Sequence, residues 1–170
     1  MSYGGSVQPI SYYGDPVLHR PCADVLVFGR ALGTLVDDMF ASMYAVSGVG
    51  LAANQIGVSR RVFVYDCTDA DGVRRIGHVV NPVREAVRAG TSSDEEGCLS
   101  VPGPRAVLTR ASTAVVSGFD RTGRQITVTG TGELARCLQH ETDHLDGTLY
   151  VDLLPPRRRD ALLREAGLIG

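Results

Sequence analysis

Apolar residues Leu32, Leu35, Val36, Met39, Phe40 and Met43 recur at intervals of three and four, which predicts a long amphipathic helix from Arg30 to Val46 with that stripe turned to a core. Downstream the period falls to two. Arg61 to Tyr65 alternates with Val and Phe, Asp69-Ala70-Asp71-Gly72 turns the chain, and Ile76 to Val80 returns, a hairpin pattern. The acidic turn lacks the later bidentate Glu of a calcium loop. Asn81-Pro82 predicts the end of that strand, with a further one over Val83 to Ala89. Val107 to Ser117 and Gln125 to Thr129, joined at Asp120-Arg121-Thr122-Gly123, complete the predicted sheet. Glu133 to His144 holds no Gly or Pro and reads as helix, and a short arginine-rich helix, Arg157 to Ala166, follows Pro155-Pro156 and ends at Gly167. Residues 1 to 28 read as an irregular arm wrapping the core, punctuated by Gly14-Asp15-Pro16 and Arg20-Pro21.

Three stretches stand out from this frame by their chemistry. Gln139-His140-Glu141-Thr142-Asp143-His144 holds a His-Glu-x-x-His pattern. On a helix, residues four apart share one face, so both imidazoles reach one metal ion while Glu141 faces a water without being a ligand. The bland reading is two histidines on a solvated helix, which the intervening Glu disfavours. A catalytic site of this kind uses three protein ligands and an open position. Downstream of His144 there is no His, and the acids beyond Asp146 are Asp152, Asp160 and Glu165, so the third ligand is expected upstream. Glu96-Gly97-Cys98-Leu99 places a thiol on an extended segment after two acids; it is either a soft ligand or a small buried apolar residue. Gly48 to Gly57 is a small-residue loop in which Gln55 stands among apolar neighbours. That loop is either a plain connection or a site where backbone approaches a ligand closely. It lacks the Gly-Lys-Ser/Thr ending of a phosphate loop. His78, with no metal-ligand partner at a diagnostic spacing, is read as structural.

A chain of 170 residues, 44% hydrophobic and 21% charged, fits one soluble domain, expected over residues 1–170. A formal net charge of −2 gives no pull towards nucleic acid or anionic membrane. Met1-Ser2-Tyr3-Gly4-Gly5 is polar, no apolar run approaches the ~20 residues that span a bilayer, and the four cysteines contain no C-x-x-C pair. A cytoplasmic protein with reduced thiols is expected.

In this order and at these spacings, Gly50-Leu51-Ala52-Ala53-Asn54-Gln55, Glu96-Gly97-Cys98-Leu99-Ser100 and Gln139-His140-Glu141-Thr142-Asp143-His144 resemble the three signature motifs of bacterial peptide deformylase. The resemblance runs from Tyr13-Gly14-Asp15-Pro16-Val17-Leu18 to Leu153-Leu154-Pro155, and the C-terminal helix is shorter than in the best-known members. It implies an α+β fold, with antiparallel β-sheets packed around a central metal-binding helix, one long N-terminal helix and a short C-terminal helix. It implies a metallohydrolase that removes the N-formyl group from N-formylmethionyl nascent peptides and releases formate. Fe²⁺ is the implied metal, with Zn²⁺, Ni²⁺ or Co²⁺ able to substitute. Cys98, His140 and His144 match the ligands of the family, and Glu141, Gln55 and Leu99 its catalytic groups. Gly50, Val49, Arg105 and Cys137 are the substrate-binding candidates, with the aliphatic stem of Arg136 as a further wall.

Rival readings are a conventional metalloprotease, which needs a downstream ligand, a deaminase, which needs a Pro-Cys-x-x-Cys segment, and a structural cage closed by Cys137. Cys98 is favoured over Cys137 because a ligand set drawn from one helix holds a metal against the helix wall. Glu96 is expected to pair with Arg110 and brace the ligand loop. Arg157-Arg158-Arg159 is either a transient ribosome contact or a solvated helix face. No DNA or membrane partner is expected.

Overall fold

The computed structural model describes residues 4–170; the polar opening Met1-Ser2-Tyr3 lies outside the described residues. Its regular elements are helices α1 (Arg30–Ala45), α2 (Gly132–Leu145) and α3 (Pro156–Glu165) and strands β1 (Gly50–Ala52), β2 (Val62–Thr68), β3 (Arg74–Arg84), β4 (Thr91–Cys98), β5 (Val101–Ala111), β6 (Thr113–Phe119) and β7 (Gln125–Thr131). One sheet has five strands in the order β1-β2-β3-β6-β7 and the other is the β4-β5 hairpin. All strand pairs are antiparallel, so the fold is α+β.

Side-chain alternation explains the layering. On β2, Val62 and Val64 point to one face of the five-stranded sheet, where they pack with Val36, Met39, Phe40 and Met43 of α1. Phe63, Tyr65 and Cys67 point to the other face and meet Leu134, Ala135, Cys137 and Leu138 of α2. A strand covered on both faces is apolar at nearly every position, as Val62-Phe63-Val64-Tyr65 is. At 25–30 cal/mol per Å², each buried aliphatic or aromatic side chain on these faces contributes on the order of 1.5–3 kcal/mol. A third cluster joins Val101 and Ala106 of β5 to Leu162 and Leu163 of α3 through Leu149, Tyr150 and Val151. Thus α2 lies over the larger sheet, and β4-β5 closes the side on which the histidines emerge.

Three sequence expectations are corrected. Asn81-Pro82 does not end a strand: β3 continues to Arg84 through a register shift between Val80 and Val83, with Asn81 in the left-handed region at φ 51°. Val83 to Ala89 is therefore no separate strand. Val107 to Ser117 is not one strand either, because the chain breaks at Ser112 between β5 and β6. The Gly48 to Gly57 loop contains β1 and a 3₁₀ turn, Ala53–Ile56. From residue 4 the N-terminal arm is irregular apart from a 3₁₀ turn at Pro16–His19, and its main chain is tied down where Ser11 N–H donates to Gln55 O at 2.8 Å and Tyr13 N–H to Ser100 O at 2.9 Å.

Candidate metal centre and active-site cleft

The helix α2 ends in a glycine closure. Gly147 N–H donates to His144 O at 3.0 Å and Thr148 N–H to Asp143 O at 2.9 Å, a Schellman closure that needs a left-handed residue, and Gly147 supplies it at φ 82°. One turn earlier, His140 and His144 stack along the buried face with Nε2 atoms 3.1 Å apart. Cys98, the last residue of β4, brings its Sγ to 3.3 Å from His144 Nε2. The ligand atoms of Cys98, His140 and His144 all lie within 4.8 Å of one another. Two imidazoles and a thiol converging at such spacing fit a small divalent ion.

Support for this cluster is unequal. His140 Nδ1 is 2.6 Å from Glu96 Oε1, which leaves Nε2 to face its partners. Glu96 is in turn held by Arg110, at 2.6 and 3.1 Å, and by Arg136 at 3.0 Å, so the expected Glu96–Arg110 pair is present. Burial pushes the Glu96 carboxyl up, but the hydrogen bonds from His140 and Arg110 outweigh it and hold the group far below the usual carboxylate range. Arg110 also reaches Asp143 at 2.6 Å, which binds Arg84 at 3.2 Å. His144 differs: burial and the neighbouring His140 push its imidazole well below the ordinary histidine value, and its buried Nδ1 has no hydrogen-bond partner among the described residues.

Around the cluster opens a cleft of about 820 Å³, lined by Val49, Gly50 and Gln55 on one side and by Glu96, Cys98, Leu99 and Arg105 on the other, with Arg136, Cys137, His140 and Glu141 along α2. Glu141 is buried and its Oε2 has no hydrogen-bond partner among the described residues. Burial is the main cause of its carboxyl being pushed up to about 7; a cation on the three ligands would pull it back down. Gln55 accepts from Ala52 N–H at 2.9 Å and directs its amide N–H to Ser100 Oγ at 3.1 Å, with Cys98 Sγ at 3.7 Å. Leu99 and Ser100 form the two-residue turn between the paired Cys98 and Val101. β1 is a sheet edge. Val49 O accepts from Asp66 N–H at 2.8 Å, so strand alternation turns the N–H and C=O of Gly50 the other way, along the free edge. Only glycine allows that approach, since a Cβ at Gly50 would collide with the Glu141 carboxylate and lie 2.7 Å from Cys137 Sγ.

Cys137 stands outside the ligand cluster. Its thiol points at Val49 O, 3.8 Å away, which also takes Cys67 Sγ at 3.2 Å. The Cys67 hydrogen bond, then burial, raise the Cys137 thiol well above its ordinary value, the wrong direction for a thiolate ligand. The Arg136 guanidinium is tied to Glu96, Leu108 O and Ser92 O. His78 accepts from Arg121 N–H at 2.9 Å, a structural role. Sequence reasoning missed Arg136 and Asp143 as braces, although Arg136, His140 and His144 recur every fourth residue on one helix face. It also missed Ser100 as the partner of Gln55, for which no local signal exists.

The fold and the site define a metal-dependent hydrolase. Residues 7–160 match the family described as polypeptide deformylase. Peptide deformylase 2 of Streptomyces avermitilis is 54% identical over 95% of this chain and 87% of that protein, and peptide deformylase 1 of Corynebacterium efficiens is 50% identical over 93% of each. Among solved structures, a peptide deformylase from Legionella pneumophila is 42% identical with a TM-score of 0.87, covering 95% of this chain and 94% of that one. The peptide deformylase of Ehrlichia chaffeensis in complex with actinonin is 34% identical with a TM-score of 0.89, covering 94% and 95%. The chain belongs to the polypeptide deformylase family. Its reaction is the hydrolytic removal of the N-formyl group from newly made polypeptides.

Proposed function

We propose that Cys98, His140 and His144 hold the catalytic metal, that Glu141 is the general base and acid, and that Gln55 and the Leu99 amide receive the developing oxyanion. The observation that carries this reading is the convergence of the three ligand atoms within 4.8 Å, beside a buried carboxylate with one unpaired oxygen. When bound, a divalent ion there lowers the pKa of a water and polarises the formyl carbonyl. Glu141 accepts a proton from the attacking water and returns it to the departing amine, so formate and a free amino terminus leave with charge balanced. Gln55 Nε2 and Leu99 N–H are the donors placed to meet the negative charge that grows on the formyl oxygen. The free edge of β1 suits an extended peptide added as a strand, with Gly50 C=O taking a substrate amide. Val49, Cys137 and the Arg136 stem line the same cleft and suit the methionine side chain, with Arg105 at the outer rim.

Fe²⁺ is the proposed cellular ion, with Zn²⁺, Ni²⁺ or Co²⁺ able to replace it, because a thiolate with two imidazoles accepts several divalent metals and availability decides among them. An iron form should lose activity in air faster than a zinc form, since oxygen chemistry at iron exposes the adjacent thiolate to oxidation. One domain over residues 1–170 and a cytoplasmic location complete the reading; no helix among the described residues is long and apolar enough to cross a membrane. A transient ribosome contact through the exposed Arg157 and Arg158 of α3 would weaken with salt and on replacement by Gln.

The ligand set is tested by exchanging Cys98 and Cys137 separately for Ala and measuring bound metal. The Cys98 variant should lose it and the Cys137 variant keep it. The reverse pattern would move the thiolate ligand onto α2 and overturn the assignment.

A further inference from the structure

We infer that Asn54 is a positioning residue for the metal ligand His144, acting through the main chain of that histidine. The inference rests on the ligand set proposed above. The three ligands are anchored differently. His140 has its ring fixed by Glu96 at 2.6 Å. Cys98 is fixed by the β4-β5 hairpin, in which it pairs with Val101. His144 has no such partner, since its buried Nδ1 makes no hydrogen bond. The placement of its ring therefore follows from packing and from where its backbone is held.

That backbone lies in the last turn of α2, where carbonyl groups run out of intrahelical donors. Leu145 O is taken by Cys22 N–H at 2.8 Å and by Arg61 at 3.1 Å. His144 O is taken by Gly147 N–H at 3.0 Å and, at 2.6 Å, by the Asn54 side-chain amide. Asn54 belongs to the 3₁₀ turn Ala53–Ile56, ninety residues away in sequence, and it is fully buried. Its neighbour Gln55 sends its own amide to Ser100. One short turn thus grips the metal helix with Asn54 and aims a donor at the reacting centre with Gln55, which fixes the spacing between ligand and donor. The Asn54 Oδ1 has no hydrogen-bond partner among the described residues. A buried unpaired carbonyl is unfavourable, and His144 O keeps the Gly147 N–H when Asn54 is removed, so an apolar residue of the same shape costs the fold little, the long contact of the Asn54 amide with Val17 O at 3.5 Å being the other one lost.

That contrast supplies the test. Asn54→Leu keeps the volume and removes the donor on His144 O and Val17 O together with the unpaired oxygen. The metal-free variant should unfold at or near the temperature of the metal-free parent. The cobalt- or zinc-loaded variant should surrender its ion to a chelator about 10- to 100-fold faster, as the loss of an outer-shell partner does at metal sites. With metal in excess, kcat should fall while KM changes little. An ion retained within twofold of the parent rate would overturn the inference. So would metal loss that merely tracks a loss of metal-free stability, or collapse of the metal-free fold in both Asn54→Leu and Asn54→Ala. A parallel His144→Ala variant separates the two claims: if it keeps its metal, the ligand set is wrong, whereas if it loses metal and Asn54→Leu does not, only the positioning role fails.

Discussion

Glu141 is the residue where burial and chemistry coincide. Its neighbours His140 and His144, the proposed ligands, have Nε2 atoms 3.1 Å apart, while its own carboxylate is turned to Gly50 and Cys137 at the cleft, with one oxygen unpaired among the described residues. In the proposed mechanism a base in that position acts on a water without holding the ion. Glu141→Gln keeps shape and removes proton transfer, so formate release from formyl-methionyl peptides should fall by about 10²- to 10⁴-fold with metal content unchanged. A variant that retains metal and turns over near the parent rate would remove Glu141 from the mechanism. The placement behind this proposed role was legible in the sequence because the pattern His140-Glu141-x-x-His144 is local to one helix and its period of four fixes which groups share a face. Arg136 was less legible: it was read as a pocket wall through its stem, whereas its charged end is spent on Glu96 at 3.0 Å. That contact spans forty residues in sequence, and local spacing carries no trace of it.

At the scale of elements, helices were read well and strand limits poorly, for a physical reason. Helix signals are short-range, so α1 follows from its periodic apolar positions, α2 from a run without Gly or Pro, and α3 from its start after Pro155-Pro156 and its end at Gly167. The glycine closure of α2 is testable. Gly147 holds φ 82°, which costs a side-chain-bearing residue about 1–2 kcal/mol, and a Cβ there would also lie 2.8 Å from the Arg20 backbone. Gly147→Ala should therefore destabilise by more than that amount, lowering Tm by roughly 2–4 °C per kcal/mol in a chain of this size. An unchanged Tm would mean that the closure of α2 contributes nothing. Strand limits, by contrast, are set by partners. Asn81-Pro82 has the composition of a terminator, yet β3 passes through it because Asn81 accepts from Val25 N–H at 2.8 Å and donates to Val25 O at 3.0 Å, bracing the bulge from fifty-six residues away. The break at Ser112 is likewise imposed by the change of sheet between β5 and β6, not by a breaking residue.

Over the whole molecule, the charged residues make the alkaline limit of stability unusually readable. All 17 basic residues are arginine, and guanidinium groups stay charged far above pH 10, so no lysine titration obscures that range. What titrates there is tyrosine and cysteine. Burial is the main cause that pushes Tyr65 up to about 12, and burial likewise leads the rise of Tyr150 to about 12. The two lie in different clusters, Tyr65 between the large sheet and α2 and Tyr150 between β5 and α3. Each loses its proton near pH 10 when unfolded but holds it to about 12 when folded. Their contribution is thus fully present below pH 10 and is lost as pH rises from 10 through 12. A difference of that size corresponds to at most about 2–3 kcal/mol per tyrosine. The buried thiols Cys22 and Cys137, both raised, push in the same direction from a lower starting pH. Unfolding free energy measured by urea titration should therefore fall across this window. Tyr65→Phe, which keeps the ring against Phe63 and deletes the titrating group, should flatten the slope by its share. If folded parent protein shows more tyrosinate absorbance near pH 10 than folded Tyr65→Phe or Tyr150→Phe, with the other tyrosines common to all three, the two clusters admit the charged form and the predicted alkaline loss would not occur.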